Sequence, residues 1–292
     1  MMKRLPLDLI LAGLATVAAI AVHADDLKFE ATAWLRQARP LPVAEQPRPP
    51  ELSVYCREPG CPSGMILYDV LVDGRGEVEA VRFNDQIGDL SHATRAAAAE
   101  AVREAWWRDV RPGQTIRSSQ WVRVLPPVRT PTRHIPFPDT NGKPISIYLE
   151  RTGCFGTCPA YLTTLRSDGT VYFCGRADVH ALGWQTGRIE PKDFNALVEL
   201  FRRADVFSLE DEYTAEVTDN PTYIVGINIG GQKKVIVDYV GDEAGMPPIV
   251  TRLQDAIDKA AGTERWIKPQ PNSTDYRAPP SDCTTPPTPF SG

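Results

Sequence analysis

Ala160-Tyr161-Leu162-Thr163-Thr164-Leu165-Arg166, Ser167-Asp168-Gly169 and Thr170-Val171-Tyr172-Phe173-Cys174-Gly175-Arg176 run on without a break. The outer runs are rich in aromatic and β-branched side chains, which suit extended backbone. The three residues between them are turn formers, with glycine supplying the positive φ a tight turn needs. The stretch reads as strand, turn, strand. Before it, Ile145, Ile147 and Leu149 alternate as a half-buried strand would. After it, a further strand is expected from Gly183 to Ile189. Pro191 then opens a helix in the favoured first position, with Phe194, Leu197, Val198 and Phe201 on its apolar face. Tyr223 to Ile229 and Lys234 to Tyr239 flank Gly230-Gly231, a hairpin signal. Ile249, Leu253 and Ile257 mark a last helix that Gly262 stops. Residues 144–268 therefore read as an α+β domain, an antiparallel sheet with two helices on one face.

A second unit precedes it, over residues 64–125. Met65 to Val72 is β-rich, Asp73-Gly74-Arg75-Gly76 is a hairpin turn, and Glu77 to Phe83 alternates with Val78, Val81 and Phe83 among its apolar positions. Ser91 is placed to cap a helix running through Trp107. Ala98, Val102, Ala105 and Trp106 form its expected buried stripe, with Arg95, Arg103 and Arg108 on the remaining surface. Ser118 to Leu125 is a third strand, so the order is ββαβ. The overall fold class is α+β in two small domains. Pro126, Pro127, Pro131, Pro136 and Pro138 place a linker over residues 126–143. Residues 25–63 read as an extended proline-rich arm, and residues 269–292 as a disordered tail rich in Pro, Ser and Thr.

The order and residues of the first unit, Gly64 to Phe83 and Ala97 to Trp107, resemble the C-terminal domain of TonB-type energy transducers. That resemblance implies a sheet able to add a strand from a protein partner. The chain lacks a transducer's long proline-rich spacer, and a second domain follows. The second unit resembles a bacterial domain-of-unknown-function family, family 6438. The resemblance rests on Thr152-Gly153-Cys154-Phe155-Gly156-Thr157-Cys158-Pro159-Ala160-Tyr161 and Asp168-Gly169-Thr170-Val171, then on Thr218-Asp219-Asn220-Pro221-Thr222 and Ala261-Gly262-Thr263-Glu264-Arg265-Trp266. It implies an exported or envelope protein and no particular activity.

The 292 residues are 42% hydrophobic and 24% charged, an ordinary globular composition. Lys3 and Arg4 precede an apolar stretch from Leu5 to Val22, and Val22-His23-Ala24 has the spacing of a signal-peptidase site. Residues 1–24 are expected to be a signal peptide cut after Ala24, which sends the protein to the periplasm or the medium and leaves no stable membrane span. The rival is an uncleaved anchor. The formal net charge is −5, and loss of Lys3, Arg4 and Asp8 makes it one unit more negative. An acidic chain without a basic run argues against nucleic acid as a partner.

Six cysteines, Cys56, Cys61, Cys154, Cys158, Cys174 and Cys283, all follow the signal. An even number in an exported chain points to disulfides. The pairing expected is Cys56–Cys61 and Cys154–Cys158, both local, with Cys174–Cys283 as the remainder. The Cys154/Cys158 loop admits two further readings. Cys-x-x-x-Cys-Pro also occurs in Sco-type copper chaperones, which makes Cys154, Cys158 and a distant histidine, His180 or His134, a candidate copper site. A redox-active dithiol is the other, although such dithiols favour a helix N-terminus and a shorter spacing.

The rest of the chemistry is sparse. No nucleophile elbow or phosphate loop is present. Glu210-Asp211-Glu212 with Glu216 and Asp219 lacks the pattern of a calcium loop and reads as solvated. His92 falls in the first turn of a helix and reads as surface. Trp106, Trp107 and Trp266 read as packing residues. The function expected is a non-enzymatic, disulfide-stabilised envelope binding module without cofactor, touching a protein partner through a sheet edge. The alternative is a thiol-based copper or redox protein.

Overall fold

A computed structural model describes residues 47, 49–268 and 283. The expected signal peptide, most of the proline-rich arm and all of the tail except Cys283 lie outside the described residues. The elements are β1 (Leu52–Tyr55), β2 (Gly64–Val72), β3 (Val78–Ile87), α1 (His92–Arg103), β4 (Ile116–Leu125), β5 (Ile145–Arg151), β6 (Ala160–Arg166), β7 (Thr170–Ala177) and β8 (Gly183–Arg188). They continue with α2 (Pro191–Arg203), β9 (Glu212–Thr214), β10 (Tyr223–Ile229), β11 (Gln232–Tyr239), α3 (Pro248–Ala261) and α4 (Glu264–Ile267). The protein is α+β, with two sheets.

The first sheet has four strands in the order β1-β4-β2-β3. The β2–β3 turn is held by Asp73, whose carboxylate accepts from the Arg75 and Glu77 N–H groups at 2.8 and 2.9 Å. The Arg75 side chain bonds the same carboxylate and, ahead of those N–H groups, holds its pKa below the usual carboxylate range. Ser91 caps α1, accepting from the Thr94 N–H at 3.1 Å. Ile66, Val70 and Val72 on β2, Ala98 and Val102 on α1, and Val122 and Val124 on β4 make the core.

Three expectations for this unit are corrected. The residues of the proline-rich arm include a strand, β1, which pairs parallel with β4 from Leu52 opposite Val122 to Tyr55 opposite Leu125. The third strand of the ββαβ unit, β4, begins at Ile116, two residues earlier than read. Finally, α1 ends at Arg103 instead of Trp107. Beyond it the chain turns so that the Trp107 N–H donates to the Gly76 carbonyl at 2.9 Å. That turn buries Trp107 under the hairpin at 1% exposure and leaves Trp106 58% exposed, the reverse of the helical stripe.

The second sheet has seven strands in the order β8-β7-β6-β5-β10-β11-β9. Its neighbours are antiparallel from β8 to β11, while β9 joins β11 in parallel. The sheet is therefore not wholly antiparallel as read. Gly230 and Gly231, at φ +56° and +96°, make the β10–β11 hairpin. Phe194, Leu197, Val198 and Phe201 of α2 are buried, as are Leu253 and Ile257 of α3. They pack with Ile147, Leu149, Leu165, Ile227 and Ile236 of the sheet. Gly262, at φ +63°, caps α3.

The proline-rich stretch 126–143 lies along the second sheet's helices and loops. The Arg129 N–H donates to the Gly245 carbonyl at 2.8 Å, and the Ile135 N–H to Ser208 Oγ at 2.7 Å. Phe137 sits edge-on to Phe207 at 5.5 Å and under the Arg202 guanidinium at 4.5 Å. Arg123 of β4 pairs with Asp242 at 2.8 Å and with Glu243 at 3.2 Å, tying the two sheets together.

Candidate functional site

Antiparallel pairing sends β5 up to Arg151, brings β6 down from Ala160, and starts β10 at Tyr223, opposite Arg151. The β5–β6 connection, which holds the cysteine loop, and the segment entering β10 thus meet at one end of the sheet. The Thr152 N–H donates to the Thr222 carbonyl at 3.0 Å. The Thr222 N–H donates to Thr152 Oγ1 at 2.8 Å. The Phe155 N–H donates to the carbonyl of Asp219 at 3.2 Å, a residue in left-handed backbone at φ +68°. The Cys154–Cys158 disulfide closes the loop with Cα atoms 5.6 Å apart. Phe155 stands at its tip, 90% exposed. Gly153 has ordinary φ and open space around it.

A buried polar network lies beneath the loop. Arg151 donates to Asp258 Oδ2 from Nε at 3.0 Å and from Nη2 at 2.8 Å. Tyr161 and Thr263 donate to Asp258 Oδ1 at 2.7 and 3.0 Å. The Arg151 guanidinium also covers the Tyr223 ring at 4.3 Å. Burial works against the Arg151 charge, but the Asp258 carboxylate outweighs it and raises the pKa. Burial first, and Asp258 second, push the Tyr161 hydroxyl well above its ordinary range, so it stays a donor. Tyr161 stacks on Phe173 at 5.2 Å and Phe173 on Trp266 at 4.9 Å. Three of the four sequence marks of this unit, around residues 152–161, 218–222 and 261–266, thus share one end of the sheet. The fourth, Asp168-Gly169-Thr170, is a turn at the other end, where Asp168 Oδ1 accepts from the Thr170 N–H at 2.9 Å.

The structure joins Cys56 to Cys61, Cys154 to Cys158 and Cys174 to Cys283. Cys174 is wholly buried on β7, so the third bond reaches the sheet's interior. Neither histidine joins the cysteine loop. His134 pairs with Asp205 at 3.0 Å. His180 lies in the β7–β8 connection, where its N–H donates to the Ile267 carbonyl at 3.1 Å. Among the described residues, the set with three metal-ligand atoms within 4.8 Å of one another is Cys56, Glu58 and Cys61. His92 is exposed at the start of α1. In the acidic cluster, Glu210 pairs with Arg129 at 2.9 Å, and Asp211 pairs with Lys234.

Sequence reasoning singled out neither Arg151 nor Asp258. They lie 107 positions apart, and no local pattern marks them. An arginine at the end of a strand and an aspartate late in a helix are ordinary surface residues until the fold joins them.

Residues 145–261 match the model of a family described as a domain of unknown function (DUF6438). The matched stretch covers the second sheet and its two long helices, and stops short of residues 64–125. No curated protein matches the chain. The second sheet is therefore similar to a family whose description assigns no function.

Proposed function

We propose that the protein is an exported cell-envelope binding module, periplasmic or secreted after removal of residues 1–24, which takes a strand of a protein partner onto the outer edge of β3. The observation that carries this reading is the open edge itself. In the order β1-β4-β2-β3, β3 pairs only with β2 among the described residues and runs for ten residues. An unpaired row of N–H and C=O groups is a template for another strand. Register shifts at Asn84, between Tyr68 opposite Phe83 and Leu67 opposite Asp85, and at Glu79, between Leu71 opposite Ala80 and Val72 opposite Val78, bend the strand, which confines the regular edge to Ala80–Phe83. Beside it, a groove of about 340 Å³ lined by Val81, Phe83, Arg95, Ala96 and Ala99 offers room for a partner's side chains. No sequence motif supplies a competing catalytic reading.

A photo-activated cross-linker at exposed Glu79 of β3, in cells that export the protein, tests the reading. A discrete adduct from Glu79, absent with the cross-linker at exposed Ser119 of β4, is expected. Equal labelling from both positions, or none from either, would refute it.

A further inference from the structure

We propose that Cys56 and Cys61 are a reducible pair whose thiolates, together with Glu58, bind a zinc-type divalent cation. The site stands at the N-terminus of α1, a helix of 12 residues capped by Ser91. Cys56 Sγ lies 3.4 Å from Thr94 Oγ1 in the first turn of that helix. Ser91 Oγ donates to Glu58 Oε1 at 2.7 Å, which brings the carboxylate to the same helix end. The two sulfurs and a Glu58 oxygen lie within 4.8 Å of one another. Helix N-termini favour negative charge and lower the pKa of a thiol placed there. The Cys154–Cys158 loop joins two strands, β5 and β6.

Cys56 is buried and Cys61 partly buried in the same core, and the helix end sets the direction of exchange. A thiolate of an external dithiol attacks Cys61 Sγ, the protein S–S bond breaks, and its electron pair leaves on Cys56 Sγ. The helix end and the Thr94 hydroxyl stabilise that thiolate, which makes Cys56 the better leaving group. The second thiol of the reductant then attacks the mixed disulfide and frees Cys61. Two electrons and two protons pass to the protein, and the dithiol becomes a disulfide. The pair of thiolates beside the Glu58 carboxylate is a concentration of negative charge that a dication neutralises. Two sulfurs and one carboxylate oxygen, with water in the fourth position, form a donor set that zinc accepts. Metal binding releases whatever protons the thiols still hold.

The test uses the exported protein with its disulfides intact. Limited dithiothreitol followed by alkylation and peptide mapping should label Cys56 and Cys61 at least about tenfold faster than the other four cysteines. The partly reduced protein, freed of reductant, is then titrated with cobalt(II) as a spectroscopic stand-in for zinc. A thiolate-to-cobalt charge-transfer band saturating at one equivalent is expected. It should survive Cys154→Ser/Cys158→Ser, vanish in Cys56→Ser, and need at least about tenfold more metal in Glu58→Gln, for loss of one ligand. Circular dichroism of each variant keeps a folding defect apart from a lost ligand. Opening of Cys154–Cys158 or Cys174–Cys283 first, no charge-transfer band, or a band unchanged in folded Cys56→Ser or Glu58→Gln would overturn the proposal.

Discussion

Arg151, the last residue of β5, places Nη2 2.8 Å from Asp258 Oδ2 on the final turn of α3, so one ion pair fastens the middle of the seven-stranded sheet to its covering helix. The side chains are 15% and 20% exposed, well shielded from water. The same carboxylate accepts from Tyr161 and Thr263. Asp258→Ala takes the acceptor from the Tyr161 and Thr263 hydroxyls and leaves the Arg151 guanidinium the exposed Asp255 carboxylate at 3.9 Å. A loss of about 3 kcal/mol is expected, the scale for removing one partner of a buried pair. Asp258→Asn should lose less, since it keeps an acceptor for Tyr161. Urea unfolding of both variants checks the order.

Asp238 is 6% exposed on β11, accepting from the Gly241 N–H at 2.8 Å and from Gln254 Nε2 at 2.7 Å. Burial raises its pKa, with the two hydrogen bonds pulling the other way. The folded state thus holds this proton more tightly than the unfolded chain does. This group's contribution to stability must fall as pH climbs from the ordinary carboxylate value through the raised one. Below that window both states are protonated and the penalty is absent; above it the penalty is complete. Asp238→Asn, with the Gln254 amide turned to accept, should flatten that part of the pH profile. Urea midpoints across a pH series give the comparison.

Cys174 and Cys283 close a loop across a sequence separation of 109, against 4 for Cys154 and Cys158. Loop-closure entropy assigns about 4–5 kcal/mol to the long bridge and about 2 kcal/mol to the short one. Cys174→Ser/Cys283→Ser should therefore lower the denaturation midpoint by more than Cys154→Ser/Cys158→Ser does. Equal losses would show that the short loop is stabilised by something beyond its closure.

Gly175 on β7 runs beneath the β7–β8 connection. A Cβ there would stand 2.1 Å from the Ala181 carbonyl oxygen and 2.6 Å from Val179 Cγ2. Ala181 cannot yield freely, because its N–H donates to the Trp266 carbonyl at 2.8 Å. Gly175→Ala is expected to cost about 1–3 kcal/mol through overpacking and to loosen α4. Thermal unfolding and hydrogen exchange at Ala181 would register both effects.

Phe155, at the tip of the disulfide loop, is 90% exposed and contributes little to the core. Phe155→Ala should leave stability within about 0.5 kcal/mol of the parent. A larger loss in chemical denaturation would mean that the ring packs in solution against something other than water.

The regular pieces were legible in the sequence because their signals are local. The period-2 run of Ile145, Ile147 and Leu149, the stripe of Phe194, Leu197, Val198 and Phe201, the Ser91 cap and the Gly262 stop depend only on near neighbours. Each side chain's face follows from helix or strand geometry alone. The cysteine loop, too, stood out by composition.

Partners distant in the chain were decided by the tertiary structure. Nothing in Leu52–Tyr55 or Glu212–Thr214 marks either as a strand; each is extended because β4 or β11 offers an open edge beside it. Trp107 packs as expected but Trp106, expected in the buried stripe, is exposed, because the hairpin carbonyl of Gly76 takes an N–H that a longer helix would have kept. Arg151 met Asp258, Thr152 met Thr222, and Glu58 came to the end of α1 beside Cys56 and Cys61, only once the chain had closed on itself. Periodicity reports what a residue does within its own element. Which elements meet depends on burying all their apolar faces at once, a condition on the whole chain that no short stretch contains.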